Sequence, residues 1–424
     1  MNNLNHLDFK DLQLRFSTNE FIHSIQKENF LKGSKWSPDG TCLLTCSDDN
    51  HIRLFEIPIG KTIEGEDQNK NLNSILKVRE SSTIYDYCWF PLMNSNDRNS
   101  SCFLSTGKDS SLSLWDAFTG QLRCKYLTYK DSDYIESAYS CQFNNYSNKI
   151  YSGCKNSIKV FNIENPGLDY QEIMTKKQKR KKNRKGKSMD EETDDGLPGI
   201  ISSFAFDRSF QNGFYTVGTY GGNLGIFDER TDQLIDYIPY PSDWYNGSDP
   251  ETKVLRMTRG VTHTLISPGG YCLFASYRKW NTIVGWDIRN TQSEIPELYK
   301  IERSLDGNQR MYFDIDGCGR YLVTGSQDGE LIFYDLQQQT ITHRQQMNGG
   351  CINSVQFHPQ SQDNLVISYG QRQFLLDGDS NPQFDQQDVL DFNSDRIDSN
   401  YKNTFEIYGN IKSLVEEQTS SSKE

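Results

Sequence analysis

The chain of 424 residues contains no run of 18 apolar residues, so no helix that crosses a membrane is expected. Its opening, MNNLNHLDFK, lacks the apolar centre of a secretory signal, and the expected setting is the cytosol or nucleus. Histidine is scarce, with six residues, and none lies in a cluster with cysteine. The ten cysteines form no Cys-x-x-Cys pair. They read as small buried hydrophobes in a reducing compartment, and no metal site is expected. A phosphate-binding loop, a Gly-x-Ser-x-Gly elbow and a His-Glu-x-x-His pair are all missing. An enzyme, a cofactor and a small-molecule substrate are therefore not expected. Positive charge is also in deficit. Forty-five Lys and Arg stand against 57 Asp and Glu, a net charge of −12. That disfavours a protein whose whole surface grips nucleic acid but leaves room for a local basic site.

What the chain does have is bulk and repetition. Aromatic residues make up 12%, including 23 Tyr and 23 Phe, enough for a large core. The stretch GSKWSPDGTCLLTCSDDNHIRLFEI (Gly33–Ile57) alternates, turns at Pro-Asp-Gly, alternates, turns at Asp-Asp-Asn and alternates again. This is the pattern of three short strands. It recurs around bulky anchors at Trp36, Trp89, Phe143, Phe206, Ile266, Ile315 and Phe357, spaced 53, 54, 63, 60, 49 and 42 residues apart. In six units the third strand ends in an aromatic residue and usually an acid: Phe55-Glu56, Trp115-Asp116, Phe161-Asn162, Phe227-Asp228, Trp286-Asp287 and Tyr334-Asp335.

A four-stranded sheet cannot bury both faces alone, so such units must stack, and closing the ring removes the terminal edges. The expectation is an all-β, seven-bladed WD40 β-propeller over residues 12–411. Residues 1–11 form a polar segment before it and 412–424 a disordered tail. The strand pattern in LQLRFSTNEFIHSI (Leu12–Ile25) is expected to complete the last blade beside YKNTFEIYGNI (Tyr401–Ile411), across an acidic loop at 377–400. The glycines of TYGGNLG (Thr219–Gly225) belong to a tight turn rather than a phosphate loop. Asp48, Asp109 and Asp328 recur at the equivalent turn and read as turn formers. His263 reads as a structural histidine.

One interval is unlike the rest. Nine of the twelve residues Lys176–Lys187 are basic: Lys176, Lys177, Lys179, Arg180, Lys181, Lys182, Arg184, Lys185 and Lys187. Five of the next eight are acidic. Blocks of like charge do not pack, so 176–198 is expected to be a disordered, solvated insertion. Three readings stay open for it: no role of its own, a nuclear-localisation signal, or a contact with RNA phosphates.

Details beyond the repeat narrow the reading. ENFLKGSKWSPDGTCLLTCSDDNHIRLFEIP (Glu28–Pro58), TIYDYCWFPLMNS (Thr83–Ser95), LWDAFTGQLR (Leu114–Arg123), GIISSFAF (Gly199–Phe206), GVTHTLISPGG (Gly260–Gly270), GWDIRN (Gly285–Asn290) and NQRMYFDIDGCGRYLVTGSQDG (Asn308–Gly329) follow in one order. From about Glu28 to Arg372 the chain resembles the telomerase Cajal body protein family. The resemblance implies an RNA-binding WD40 scaffold of H/ACA-type ribonucleoproteins. Such a protein recognises the CAB-box loop of small Cajal-body RNAs and telomerase RNA. It escorts them to a nuclear body, with a cytoplasmic pool possible, and supports telomerase assembly and telomere maintenance. Implied partners are those RNAs, the H/ACA core proteins and telomerase. The long N-terminal extension and the Gly-rich tail of animal members are missing here, and the basic insertion is extra. The alternative is a protein-interaction scaffold that does not touch RNA.

On a propeller, partners usually meet the face made by the turns that enter the innermost strands and the turns between the second and third strands. Basic groups interleaved with aromatics on that face suit a single-stranded loop, whose bases stack and whose phosphates pair with cations. The RNA-binding candidates are Tyr85, Lys108, Tyr277, Arg278, Lys279, Trp280, Gln309, Arg310, Tyr312 and Arg372. Tyr87, Lys155, Tyr220 and Gln371 share the face. Arg278→Glu with Arg310→Glu is expected to abolish RNA association without unfolding the protein.

Overall fold

In the computed structural model, residues 12–21, 29–58, 71–130, 134–182, 188–210, 212–238, 259–289, 295–361, 363–371 and 402–409 are described. They form seven four-stranded antiparallel sheets and two small two-stranded ones. Blade 1 is Leu31–Trp36, Cys42–Ser47, His51–Glu56 and Leu76–Arg79. The innermost strands of the next five blades are Ile84–Trp89, Ser140–Phe143, Ile201–Phe206, Val261–Ile266 and Phe313–Ile315. Each is followed by three strands in chain order within its own sheet. All the sequence anchors fall at the last residue of an innermost strand.

Blade 7 takes three strands from the C-terminal part, Ile352–Phe357, Asn364–Tyr369 and Thr404–Gly409. Its outer strand is Gln13–Ser17, which runs antiparallel to Thr404–Gly409. The closure read from the sequence is the one the structure has. The segment after this strand also grips blade 1. Ser17 O accepts from Leu72 N at 2.7 Å, and Glu20 bonds Ser74 Oγ at 2.8 Å and Lys77 Nζ at 2.9 Å.

Why the strands associate this way is visible in the core. The seven large apolar clusters each lie between two neighbouring blades rather than within one. Cys42, Leu44 and Ile52 of blade 1, for example, pack with Tyr87, Trp89 and Phe103 of blade 2. Val366 and Phe405 of blade 7 pack with Leu43 and Phe55 of blade 1, and Phe16 and Phe21 from the N-terminal segment join them. Alternation puts one apolar row on each sheet face, and only a neighbour on both sides buries both rows. The repeated aromatic has a further use in blade 2. Trp115 Nε1 donates to Ser105 Oγ at 2.7 Å and to Glu80 Oε1 at 3.2 Å, and Ser105 also bonds Glu80. This ties the second and third strands to the segment that leads out of blade 1.

Two expectations need correction. The charged insertion is not a featureless loop. Lys176–Lys182 pairs antiparallel with Ser188–Gly196 as a hairpin, with Lys179 opposite Glu191 and Arg180 opposite Asp190. The backbone register sets a basic run against an acidic one. Arg184, Lys185 and Lys187 lie outside the described residues, as do 1–11, the acidic loop 377–400 and the tail 412–424. The cysteines are all free and most are buried, but Cys318 is exposed.

Removing residues 1–29 takes away the outer strand of blade 7 and the buried rings of Phe16 and Phe21. Their burial alone contributes roughly 3–6 kcal/mol. The expected outcome is a fall in melting temperature of about 5 °C or more. An unchanged thermal melt of the truncated chain would refute closure by this strand.

Candidate functional site

The turns entering the innermost strands and the turns between the second and third strands lie at one end of the ring, sewn together blade by blade. Asp48 N donates to Phe30 O, Lys108 N to Thr83 O, Asn156 N to Gly199 O, Tyr220 N to Ile200 O, Arg278 N to Gly260 O and Gln327 N to Ser304 O, all at 2.8–2.9 Å. The innermost strands of five blades carry a bulge at their second residue, at Leu31/Gly33, Ile84/Asp86, Ile201/Ser203, Val261/His263 and Ile352/Ser354. A bulge re-aims a side chain and frees a backbone group. In blade 2 the bulged residue is Tyr85. In blade 4 it is Ser202, whose carbonyl serves the network below.

That network fills the channel between the innermost strands. Asp86 is the carboxylate that its two cations share. It bonds Lys35 Nζ at 3.2 Å and lies 3.5 Å from Arg310 Nη1. It also accepts from Tyr87 N at 2.9 Å and Cys141 N at 3.2 Å. Lys35 Nζ donates to Tyr87 O at 2.5 Å and sits 4.7 Å over the Tyr87 ring. Arg310 donates to Tyr312 Oη at 3.2 Å and to Ser202 O at 2.9 Å. Burial works against both charges. The nearby Asp86 carboxylate and Tyr312 hydroxyl outweigh it and hold the two cations above their ordinary range. His263 is the opposite case. Burial, helped by Lys35 and Arg310, pushes its pKa down to about 3. The neutral ring faces Phe313 O at 3.2 Å and packs edge-on against Tyr312.

Around the mouth of this channel the groups are presented differently. Tyr85 and Tyr139 stack at 5.1 Å with an interplanar angle of 20°. The Arg278 guanidinium lies over the Tyr220 ring at 3.6 Å. Lys108, Lys155 and Lys279 are exposed. Lys279 has φ +49°. The corresponding turns elsewhere give a left-handed conformation to Asn50, Asp109, Asn156, Gly222 or Gly329, residues that tolerate it. Blade 5 accepts that strain to hold a long cation at the rim. Beside it, Lys279, Trp280, Arg259 and the buried Arg303 line a cleft of about 570 Å³ together with Glu302, Asp306 and Glu330.

The ten candidates therefore separate. Tyr85, Lys108, Arg278, Lys279 and Trp280 stand at the rim. Tyr277 is fully buried between blades 4 and 5, because strand alternation turns it into the core, and it is withdrawn as a surface residue. Gln309 Nε2 is engaged with Gly370 O at 2.7 Å. Arg310 and Tyr312 belong to the channel network, and the Arg310 side chain is only 17% exposed. The expectation that Arg310→Glu spares folding is thus corrected. Arg372 lies outside the described residues. Tyr139 was missed, although it was legible. It precedes the anchor Phe143 by four residues, as Tyr85 precedes Trp89. Lys35 and Asp86 carried no such signal, since their pairing spans two blades.

A ring of seven four-stranded sheets with this repeated strand pattern defines the class: a WD40 β-propeller. The WD domain, G-beta repeat model matches residues 19–56. The propeller domain of Myceliophteria thermophila Cps50 (Swd1) superposes with a TM-score of 0.58 at 12% identity, covering 91% of this chain and 98% of that one. Within the class the relationship is closer. Telomerase Cajal body protein 1 of Bos taurus is 33% identical over 84% of this chain and 60% of its own length. The Homo sapiens protein of that name is 33% identical over 83% of this chain and 59% of its own. The chain is a WD40 propeller related in sequence to telomerase Cajal body protein 1, and it spans about 60% of the length of those relatives.

Two outcomes test the channel. Arg310→Glu sets a second buried carboxylate beside Asp86 and is expected to cost about 3–5 kcal/mol in chemical denaturation. Arg278→Glu at the rim should cost under about 1 kcal/mol. The His263 pKa is depressed from 6.5 to about 3, so below 6.5 the unfolded chain binds a proton that the folded chain refuses. Its contribution is full above pH 6.5 and is lost as pH falls towards about 3. His263→Gln should therefore flatten the fall in stability across that acid window; an unaltered pH profile would refute the neutral buried ring.

Proposed function

We propose that the rim of the channel binds single-stranded RNA, and that the chain acts as the RNA-reading scaffold of H/ACA-type ribonucleoproteins. The one observation that carries this is the interleaving of ring faces with cations: the Tyr85–Tyr139 stack, Tyr220 under Arg278, and Lys279 beside Trp280. Bases stack on such rings without needing a fixed sequence, and exposed cations neutralise phosphates. Aromatic rings spread over blades 2 to 5 suit a splayed loop better than a duplex, whose bases are already stacked. With a net charge of −12, attraction to RNA has to be local, which a compact rim of Lys108, Lys155, Arg278 and Lys279 provides.

The relatives' printed name, telomerase Cajal body protein 1, supports the particular particle. On this reading the ligand is the CAB-box loop of small Cajal-body RNAs and of telomerase RNA. The partners are H/ACA core proteins and telomerase, and the destination is a nuclear body. The basic residues of 176–187 are the nuclear-localisation signal. The strand Lys176–Lys182 follows Thr175, whose N donates to Asn156 O at 3.0 Å in a turn of the proposed RNA face.

Ultraviolet crosslinking of the tagged protein in its own cells, with sequencing of the bound RNA, tests the reading. Enrichment of H/ACA or telomerase RNA is the expected result. Arg278→Glu with Lys279→Glu should reduce RNA recovery at least about tenfold, about 1.4 kcal/mol. It should also shallow the salt dependence of binding by about two phosphate contacts, with the melt unchanged. RNA recovery equal to that of an unrelated propeller would leave a scaffold that binds protein alone.

A further inference from the structure

The opposite end of the ring carries a second surface. Three neighbouring loops, each joining the first strand of a blade to the second, hold one exposed aromatic apiece: Tyr146 in blade 3, Phe210 in blade 4 and Tyr271 in blade 5. Tyr146 is 66% exposed and Phe210 60%, and their rings meet at 5.9 Å in an edge-to-face contact. The loops are stapled across blades. Asn145 Nδ2 donates to Asp207 O at 2.7 Å, and Asn212 Nδ2 donates to Gly270 O at 2.9 Å. The row is therefore one connected surface and not three independent loop tips.

Phe210 is also in the left-handed region, with φ +58°. That conformation is a steric outlier for a bulky residue, and the exposed ring recovers little by burial. The buried Asp207 holds the turn instead, accepting from Ser209 N and Asn212 N at 3.0 Å. Folding thus gains nothing evident from a phenylalanine here. Arg208, in the same loop, and Arg230, beside Glu229 in the adjoining loop, are exposed, and neither makes an ion pair among the described residues. Of the nearby acids, Asp207 holds its turn, Asp232 meets Lys149 and Tyr151 and Glu229 is buried, while Asp228 and the buried Asp314 lie within electrostatic reach of Arg230 and Arg208 without forming a close ion pair.

We propose that this face, across blades 3 to 5, docks an acidic segment of a protein partner that carries apolar or aromatic side chains. Exposed aromatics flanked by exposed arginines that make no close ion pair are the composition of a protein-binding patch. Protein fits better than RNA here. The edge-to-face contact leaves Tyr146 and Phe210 without a shared stacking plane, and two arginines are too few to follow a phosphate backbone. The docking face is independent of the RNA reading, so the protein would hold RNA at one end and a partner at the other.

The probe is a fluorescein-labelled random glutamate–tyrosine copolymer, with polyglutamate as control, titrated against the full chain. The copolymer should bind more tightly than polyglutamate. Arg208→Glu with Arg230→Glu should weaken it at least about tenfold. Phe210→Asn, which suits the left-handed backbone, should weaken binding while leaving the melting temperature equal or higher. Arg278→Glu on the opposite face should change nothing. Binding that survives the double charge reversal, or disappears with Arg278→Glu, overturns the proposal. So does a lower melting temperature for Phe210→Asn, since the ring would then be packing. In cells, a photoreactive side chain at Tyr146 should crosslink to acid-rich protein segments and lose them with the charge reversal; crosslinks to RNA would overturn it.

Discussion

The structure depends on one antiparallel pairing between segments nearly four hundred residues apart. Gln13–Ser17 completes a sheet whose other three strands come from the far end of the chain. Every blade buries its faces against two neighbours, so a ring left open would expose an apolar face on each of two blades as well as a strand edge. The same N-terminal segment carries Phe16, Phe21 and Glu20 into blade 1. Closure is therefore a seam on both sides of the gap, and the channel that the ring encloses exists only because the seam holds.

The channel explains how the molecule uses its cations. Seven innermost strands converge on a narrow space, where a buried charge needs a partner or is disfavoured, as burial does to the Asp314 carboxylate. Asp86 matches Lys35 and Arg310, with carbonyls and tyrosine hydroxyls taking the remaining donors. These cations are structural. A short distance outward the constraint is lifted, and Arg278 and Lys279 are held at the rim by a ring face and by a strained turn instead of by carboxylates. The channel cations are fixed by a close ion pair and by burial, whereas the rim cations make no close ion pair among the described residues, although Glu302, Asp306 and Glu330 line the cleft beside Lys279. At the opposite end Arg208 and Arg230 are likewise exposed without a close ion pair among the described residues.

Much of the fold was legible because a propeller is written locally. Each blade is a run of adjacent strands, so alternation, turn residues and the aromatic-acid ending repeat with a visible period. Even the closing strand could be inferred from an orphan pattern at each end. The site was legible only in outline. The end of the ring at which those turns lie follows from strand order. The individual residues were less secure. Tyr277 and Arg278 are adjacent in sequence, and alternation sends one into the core and the other to the rim. Arg310 looks like a surface arginine until Asp86, from a blade on the other side of the channel, is placed beside it. The charged insertion misled for a related reason: its like-charged blocks repel in sequence but are set against each other once the chain folds back.

By itself the sequence determined the number of blades, the order of their strands, the anchors that pack between them and the family likeness, because each depends on short-range pattern. Tertiary structure alone decided which cations are buried and which are presented. It also decided that Tyr85 stacks on Tyr139, that Arg278 covers Tyr220, and that Tyr146, Phe210 and Tyr271 form one row. Those facts depend on contacts between blades, and a strand pattern specifies which face a side chain occupies but not which neighbour it meets across the gap.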